Sequence, residues 1–333
     1  MTAAQHEDKG QPVVIVGTGM AGYTVARELR KLDSTVPIVM ISRDDGSFYS
    51  KPMLSNALAM KKEPQALASF DAMAMAAQLG AWIRVNQRVE RILPAEHTLV
   101  VDNALLGYSK LVLATGADPR RLKVAGDGAA DVMSINDLGD YARFRLALTR
   151  CRSVAILGAG LIGCEFANDL AAAGYAVSLI DPASTPLARL LPQDVGEIFA
   201  RALDDGGIRF HPGRSVDRID RLSDGYRLTF AEGEPIVADL VVSAVGLVPR
   251  TALAAAAGAA RRTSSPVDTT RLRTRTPTRL RRPKWFRCWW RCWSWQRLPV
   301  RKEQRSRAPV DFGRSPTGSG YPRSFRCRLP LKD

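Results

Sequence analysis

Two glycine-rich motifs of the same type, about 140 residues apart, are the parts of the chain whose residues and spacing most clearly indicate chemistry. The first, Gly17–Gly22, follows the apolar run Val13–Val16, and the second, Gly158–Gly163, follows Val154–Leu157. In the Gly-x-Gly-x-x-Gly pattern, the first glycine makes a tight turn, the second admits a pyrophosphate, and the third lets helix and strand pack closely. Each motif therefore predicts pyrophosphate binding at the N-terminus of a helix.

Two such motifs in one chain predict two bound dinucleotides, an arrangement typical of electron transfer between a flavin and a nicotinamide. We expect FAD at the first motif, because it lies near the N-terminus and a second phosphate-side element, Ala114–Gly116, follows about 95 residues later. We expect NAD(H) at the second motif, because Asp181 closes the next strand, where a carboxylate binds the ribose 2′-OH and repels a 2′-phosphate. Arg189 leaves NADPH as an alternative. At the first motif the alternative is a turn without ligand, and at the second it is that Asp181 is simply a polar strand end.

The residue expected to bind the ribose of the first dinucleotide is less typical. Ser42 occupies the position where a carboxylate is usual, and Asp44 comes two residues later. A serine hydroxyl can bind a ribose hydroxyl, but more weakly than a carboxylate. The predicted adenosine contacts of the first motif therefore depend on Ser42.

The succession of elements predicts fold class α/β with two Rossmann-like (FAD/NAD(P)-binding) domains, since alternating strands and helices are typical of parallel doubly wound sheets. After each motif the same order recurs, and it ends at a glycine turn, at Gly116 and at Gly246. We expect a small antiparallel set of strands from Ile208–His211, Val216–Ile219 and Tyr226–Phe230.

The net charge of +15 is distributed very unevenly. Residues 1–260 carry 27 Lys and Arg against 29 Asp and Glu, whereas residues 261–333 carry 21 against 4 and hold five of the six Trp. The basic character therefore belongs to the last segment and does not indicate nucleic-acid binding by the whole protein. We predict an N-terminal tail (1–11), the first half of an FAD-binding domain (12–118), an NAD-binding domain (119–250) and an aberrant Arg/Trp-rich segment that is irregular or disordered (251–333).

Other features narrow the class of protein. The chain has no apolar run of membrane-spanning length and no signal-peptide pattern, so we expect a cytoplasmic protein without a membrane partner. No cluster of metal ligands is present, and no histidine is placed for acid–base work. Cys151 and Cys164 are the only cysteines before residue 260, and their spacing argues against a redox-active dithiol.

Two longer sequence segments resemble those of a known family. The segments Gly17–Asp33 and Asp44–Ser55, which includes Ser50-Lys51-Pro52, resemble rubredoxin–NAD(+) reductases, which are FAD-dependent members of the pyridine nucleotide-disulfide oxidoreductase superfamily. The resemblance covers residues 12–258, and the stretch Ala244–Arg250 matches the exit from the NAD domain. It implies NADH as hydride donor, FAD as acceptor and rubredoxin as partner for single electrons, with ferredoxin-type reductases as the nearest alternative.

The resemblance also implies two catalytic residues. Lys51 would lie beside the flavin ring, and Glu165 would pair with it near the nicotinamide, although neither stands out without the resemblance. Val89 would touch the adenine end of FAD. Together with the motif residues, the predicted cofactor-binding set is Gly17, Thr18, Gly19, Ala21, Gly22, Ser42, Lys51, Pro52, Val89, Ala114, Thr115, Gly116, Gly158, Gly160, Gly163, Glu165, Asp181 and Gly246.

The resemblance stops at about Gly258. Residues 261–333 contain no Gly-Asp pair, which the family uses at the flavin ribityl chain, and they do not resemble its C-terminal interface domain. A frameshift in a GC-rich gene explains the change of composition best, and we then expect this chain to be impaired. The alternatives are an Arg/Trp-rich tail that binds nucleic acid, a membrane-surface segment, or a degenerate nucleotide-binding protein with a basic tail.

Overall fold

Two four-stranded parallel sheets, one after each glycine motif, organise the fold. The structure is a computed structural model that describes residues 10–259, all of which belong to one compact unit. Most of the predicted N-terminal tail and of the predicted C-terminal segment lies outside the described residues.

The first part of the chain runs from the strand before the first motif to the strand that leads into the second half. Its strands and helices are β1 (Val13–Val16), α1 (Met20–Leu32), β2 (Ile38–Ile41), α2 (Ala72–Leu79), β3 (Trp82–Arg84), β4 (Val89–Leu93), β5 (Thr98–Val101), β6 (Ala104–Gly107), β7 (Lys110–Leu113) and β8 (Ala117–Pro119). Short 3₁₀ helices cover Lys51–Ser55, Pro64–Leu67 and Pro94–Glu96.

The second part repeats this order with a longer antiparallel insert. A 3₁₀ helix at Ala129–Asp131 precedes it. Its elements are α3 (Leu138–Leu148), β9 (Ser153–Leu157), α4 (Leu161–Ala172), β10 (Ala176–Ile180), α5 (Gln193–Asp205), β11 (Ile208–His211), β12 (Val216–Leu222), β13 (Gly225–Phe230), β14 (Ile236–Ala238), β15 (Leu240–Ser243), β16 (Leu247–Pro249) and α6 (Ala252–Ala256).

The two parallel sheets have equivalent strand orders, β3-β2-β1-β7 and β11-β10-β9-β15. In each, the strand before the glycine motif is central, and all four residues of β1 and of β2 are buried. Strands covered on both faces read as continuous apolar runs, which explains the Val and Ile content of β1 and β2. The predicted α/β fold with two Rossmann-like halves is confirmed.

One predicted strand pairing is wrong. We expected Ile208–His211 to join an antiparallel set, but β11 pairs in parallel with β10 at the edge of the second sheet. The reason is helix α5, which connects the two strands as a crossover, and parallel neighbours require such a connection. The antiparallel sheet consists instead of β12, β13 and β14.

The chain passes between the two halves twice, and the two passages pair with each other. Strand β8 leaves the first half and β16 returns to it, and they form an antiparallel two-stranded ribbon. Beyond the ribbon, α6 continues the regular structure, and Leu253 packs against the apolar cluster that contains Val14 and Val16. Residues 252–256 are therefore helical, although we predicted an irregular segment from residue 251 onward.

Candidate active site

The first glycine motif has no room for side chains at two of its positions. Gly17 has a φ of +115°, and a Cβ there would lie 2.2 Å from the carbonyl oxygen of Ala114. A Cβ on Gly22 would lie 1.9 Å from the carbonyl oxygen of Gly17, so α1 approaches the turn as closely as backbone atoms allow. Only glycine satisfies both constraints.

The second motif repeats this geometry. Gly158 has a φ of +105°, and its Cβ would lie 2.8 Å from the carbonyl oxygen of Ala244. A Cβ on Gly163 would meet the carbonyl oxygen of Gly158 at 1.9 Å, the same distance as in the first motif. The two turns are thus built by the same contacts.

The middle glycines face open space. A Cβ on Gly19 or on Gly160 would meet nothing within 4 Å in the structure, and no side chain caps either helix at these residues. The first turns of α1 and α4 also contain no acidic residue that would repel an anion. Free N–H groups, the positive end of the helix and unfilled space fit a pyrophosphate at both motifs. Ala21 is exposed in the first turn of α1, beside the first of these spaces.

Ser42 and Asp181 occupy equivalent places, each directly after the second strand of its sheet. The carboxylate of Asp181 accepts from the backbone N–H of Ala159, in the glycine turn, at 2.6 Å, and from that of Ala183 at 2.8 Å. A carboxylate can accept about four hydrogen bonds, so Asp181 keeps capacity for a ribose hydroxyl. Its position at the turn fits the role that we predicted for it.

In the first half, hydroxyl groups connect the turn to a carboxylate further along. Thr18, in the turn, donates to the Ser42 hydroxyl at 2.5 Å, and Ser42 in turn donates to Asp44. Thr18 and Ser42 are both buried. Ser42 is therefore already engaged on both sides, and Asp44 supplies the negative charge that Asp181 supplies directly in the second half.

The turn Ala114–Gly116 lies opposite the first motif and is tied to the chain that returns from the second half. Gly116 has a φ of +71°. The Thr115 hydroxyl donates to the carbonyl of Arg250 at 2.9 Å, and the Arg250 guanidinium donates to the Thr115 carbonyl at 2.8 Å and to Asp118 at 2.6 Å. Gly246, the equivalent glycine of the second half, has a φ of +103°.

Lys51 begins a 3₁₀ helix in which Pro52 occupies the first turn, where its fixed φ is favourable. The loop before it is fixed by Tyr23, whose hydroxyl donates to the Gly46 carbonyl at 2.5 Å. Tyr23 and Phe48 also contact edge to face, with their ring centroids 5.5 Å apart. These contacts hold the loop that carries Lys51 against the first half.

Lys51 and Glu165 have different partners in the structure. The Lys51 ammonium donates to the side-chain oxygen of Asn136 at 3.3 Å, and the Glu165 carboxylate accepts from the Ser55 hydroxyl at 2.7 Å. No ion pair between Lys51 and Glu165 occurs in the described chain. Glu165 thus contacts Ser55, four residues after Lys51, and its predicted pairing with Lys51 near the nicotinamide stays a prediction.

Partial burial lowers the pKa of Lys51, and the nearby Arg250 guanidinium lowers it further. Asp137 and Asp44 act in the opposite direction. Lys51 thus lies among charges of both signs contributed by the two halves and the ribbon.

Asp169 is a site residue that the sequence analysis missed. It lies one turn after Glu165 on α4, is 3% exposed, and accepts from the backbone N–H groups of Leu58 and Ala59 at 3.0 and 2.8 Å. Burial raises the pKa of Asp169 to about 6, against the opposing effect of these two hydrogen bonds. Helix α4 of the second half therefore holds the segment after Lys51 through two carboxylates. No local sequence signal marks Asp169, because its partners lie 110 and 111 residues away.

Val89 is placed differently from the other predicted residues. It begins β4, is half-buried, and packs in the apolar cluster that contains Val14 and Val16. The structure thus puts Val89 beside the sheet of the first motif, and its predicted backbone contact with adenine stays a prediction.

The two described cysteines are separate free thiols. Burial raises the pKa of Cys164 to about 12, and its thiol donates to the Ala159 carbonyl at 3.4 Å. Reactive cysteines are partly exposed and have a lowered pKa, so Cys164 is a packing residue. The described residues contain no group of ligands that could hold a metal ion. Among residues 10–259, no helix combines the length and apolar character needed to cross a bilayer.

Two equivalent dinucleotide-type halves, joined by a ribbon and in contact at Ser55 and Glu165, define a protein of the two-dinucleotide-fold class. The profile of the pyridine nucleotide-disulphide oxidoreductase family matches residues 11–278. The chain belongs to this family, whose members bind FAD and NAD(H). The match extends 20 residues beyond Gly258, where we expected it to stop.

Individual relatives make the comparison more specific. The chain is 46% identical to a rubredoxin-NAD(+) reductase of Acinetobacter baylyi over 255 residues, and 43% identical to one of Alcanivorax borkumensis over 248 residues. Each comparison covers 74% of this chain and 65% of the relative. The chain thus matches less than two thirds of the length of these relatives.

Solved structures agree with this grouping. A ferredoxin reductase from Rhodopseudomonas palustris matches with a TM-score of 0.69 and 29% identity, covering 75% of this chain and 62% of that one. The putidaredoxin reductase–putidaredoxin complex matches with the same TM-score and identity, covering 75% and 61%.

Proposed function

We propose that this chain is the dinucleotide-binding part of an NADH-dependent flavoprotein reductase that delivers electrons to rubredoxin in the cytoplasm. The main supporting observation is the meeting of the two halves at the Ser55–Glu165 contact. It brings the segment of Lys51, from the first half, against the helix that follows the second glycine motif.

In this proposal each half holds one cofactor. Residues 12–118 form the first part of the FAD-binding domain, and residues 119–250 form the NAD-binding domain. FAD would be held by Gly17, Thr18, Gly19, Ala21, Gly22, Ser42, Lys51, Pro52, Val89, Ala114, Thr115 and Gly116, and NADH by Gly158, Gly160, Gly163, Glu165, Asp181 and Gly246.

A bound flavin supplies the conversion between two-electron chemistry with NADH and one-electron chemistry with an iron protein. The chain itself would position the two cofactors and polarise them with charged side chains. Lys51 presents a positive charge where the halves meet, and Glu165, fixed by Ser55, presents a carboxylate on the nicotinamide side. Neither group needs to form a covalent bond, and Cys164 takes no part because its thiol stays protonated and buried.

The choice of rubredoxin as acceptor rests on relatives. The two relatives at 46% and 43% identity are rubredoxin-NAD(+) reductases, whereas the ferredoxin and putidaredoxin reductases are 29% identical. A ferredoxin-type acceptor is therefore the second candidate. A direct comparison of reduction rates with a rubredoxin and a ferredoxin separates the two.

The segment 261–333 also needs an explanation, and we propose that it is read from a shifted frame. Translating the gene in the other two frames then yields a Gly-Asp motif and an interface domain. The present chain would hold FAD more weakly than the frame-corrected chain, because the rest of its FAD domain is replaced.

The test of function uses the visible absorption of the purified 333-residue chain mixed with FAD, without oxygen, before and after NADH. We expect a protein-bound flavin spectrum that bleaches with NADH. Gly19→Ala should abolish flavin binding, because its methyl group fills the pyrophosphate space without disturbing the fold. Gly160→Ala should keep the flavin but slow bleaching on the order of 100-fold, because it displaces the nicotinamide.

Gly10→Ala is the matched control, since its Cβ also meets nothing within 4 Å and lies before β1. The proposal fails for this chain if the unchanged protein binds no flavin. The assignment of cofactors to halves fails if Gly160→Ala, rather than Gly19→Ala, removes the flavin.

A further inference from the structure

Asn136 is a buried polar residue at the junction of the two halves. It is 7% exposed and directly precedes Asp137, whose side chain caps helix α3 by accepting from the Asp140 N–H at 2.8 Å. Its own backbone N–H donates to the Asp140 carboxylate at 2.9 Å. The start of α3 therefore fixes the backbone of Asn136 on two sides.

The side-chain amide of Asn136 joins Lys51 to the ribbon. Its oxygen accepts from the Lys51 ammonium at 3.3 Å, and its nitrogen donates to the carbonyl of Ala117, in β8, at 3.0 Å. An ammonium can only donate and a carbonyl can only accept, so these partners determine the orientation of the amide. Reversing the amide would break both hydrogen bonds.

A neutral acceptor at this position has a particular electrostatic consequence. The described residues give Lys51 no carboxylate ion pair within 4.0 Å. The charged groups that act on its ammonium are Arg250, Asp137, Asp44 and Arg43. The amide thus holds the ammonium in place without neutralising its charge. A carboxylate at the same position would neutralise that charge.

We propose that Asn136 is a positioning residue, which holds the Lys51 ammonium at the junction of the halves through a neutral hydrogen bond. The proposal rests on the proposed function for the role of Lys51, but the Asn136–Lys51 contact itself can be tested without a cofactor. Asn136 acts through Lys51, and its link to Ala117 ties the position of that charge to the ribbon.

The test begins with the full chain without added cofactor. Lysines are labelled briefly with acetic anhydride, and the labelling of Lys51 is compared by mass spectrometry with that of Lys110 in the same molecule. In Asn136→Asp, a carboxylate 3 to 4 Å from the ammonium favours its protonated, unreactive form. We expect relative labelling of Lys51 to fall about tenfold, which corresponds to one pKa unit. Asn103→Asp, in the turn between β5 and β6, adds the same charge elsewhere and should change nothing.

A second variant covers the case in which Asn136→Asp does not fold. Asn136→Ser shortens the side chain so that its oxygen no longer reaches the ammonium. Loss of this hydrogen bond to the charged form favours the neutral, reactive amine, so relative labelling of Lys51 should rise about threefold. Unchanged labelling in the variants that fold would overturn the inference, whether or not the chain binds flavin.

The second measurement follows the anaerobic reduction of bound flavin by NADH. We expect Asn136→Asp to lower the maximal rate about tenfold with an unchanged NADH concentration at half-maximal rate, since the nucleotide site lies at the other motif. Altered labelling with an unchanged rate would overturn the positioning role. A chain that binds no flavin would defeat the proposed function, while the labelling result would still decide the Asn136 contact.

Discussion

The two halves of the described chain build the same turn but stabilise its outer edge in different ways. The N–H of Gly17 donates to the carbonyl of Ile41 at 2.8 Å, and that of Gly158 to the carbonyl of Ile180 at 2.7 Å. One residue later the halves diverge. Asp181 binds the turn directly through its carboxylate, whereas Ser42 passes the interaction on to Asp44.

This difference shows what the turn requires and what it leaves free. A hydrogen-bond partner for the turn is present at both strand ends, but the negative charge lies at the strand end only in the second half. In the first half the charge is two residues further along, on a loop that also positions Lys51. The backbone geometry is therefore common to both halves, and the location of the charge distinguishes them.

The largest expected effect tests the common part. Gly22→Ala and Gly163→Ala each force a methyl group to within 1.9 Å of a backbone carbonyl oxygen. We expect each to lower the free energy of unfolding by about 4 kcal/mol, measured by urea denaturation. Gly19→Ala and Gly160→Ala are matched controls with an expected change below about 0.5 kcal/mol. A large effect in only one half would break the structural equivalence.

The free energy of unfolding should depend on pH through the buried carboxyl group of Asp169. Its pKa is about 6 in the folded chain and near 4 when unfolded, so the folded state binds the proton more tightly. The corresponding stability is fully present below about pH 4 and is lost as the pH rises through 6, with a total near 3 kcal/mol. In urea denaturation, Asp169→Asn should flatten this slope. Asp224→Asn, in an exposed turn, should keep it, and an unchanged slope in Asp169→Asn would contradict the assignment.

The strand ends should respond unequally to loss of their polar groups. Asp181→Asn loses one charge-assisted hydrogen bond and should cost about 1.5 kcal/mol of stability. It should also weaken NADH binding about tenfold in a titration followed by flavin bleaching. Ser42→Ala should cost less, about 1 kcal/mol, because Thr18 already lies 3.4 Å from Asp44. Asp205→Asn, exposed at the end of α5, serves as control. Equal costs at the two strand ends would mean that the direct carboxylate gives no advantage.

The smallest effect concerns the thiols. Cys164→Ala removes one buried sulfur, with an expected cost of about 1 kcal/mol, and should leave the rate of flavin bleaching by NADH unchanged. Cys151→Ala, at a half-buried position, should likewise have a small effect on stability and leave the rate of flavin bleaching unchanged. A strong loss of rate in Cys164→Ala would show that the second half contributes a redox thiol, which its burial argues against.

Local signals made the glycine turns and central strands predictable from the sequence. The motifs and the apolar runs beside them fix φ, close approach and burial within a few residues. Strand β11 was assigned to the wrong sheet because helix α5 is hard to recognise. Val195 and Ile198 of α5 are exposed, and Gly196 lies inside the helix, where it is generally unfavourable. The reason for a glycine at position 196 is a tertiary contact, since a Cβ on Gly196 would lie 2.8 Å from the Thr185 side chain.

The site residues that sequence reasoning missed depend on distant partners. Asn136 contacts Lys51 across 85 positions, and Ser55 contacts Glu165 across 110. Asparagine and serine are common in turns and at helix starts, so neither type is informative by itself. Resemblance to a family drew attention to Lys51 and Glu165, but only the fold brings their partners to them.

The paired ribbon of β8 and β16 makes the second half an insertion with adjacent ends. The N–H of Arg120, where the chain enters it, donates to the carbonyl of Gly246, where it leaves, at 3.0 Å. Inserted domains with neighbouring ends can be exchanged without disturbing their host. A replacement domain could therefore be joined at Ala117 and Pro249, provided that it also supplies the partners that the second half now gives to Lys51, Ser55 and Leu58.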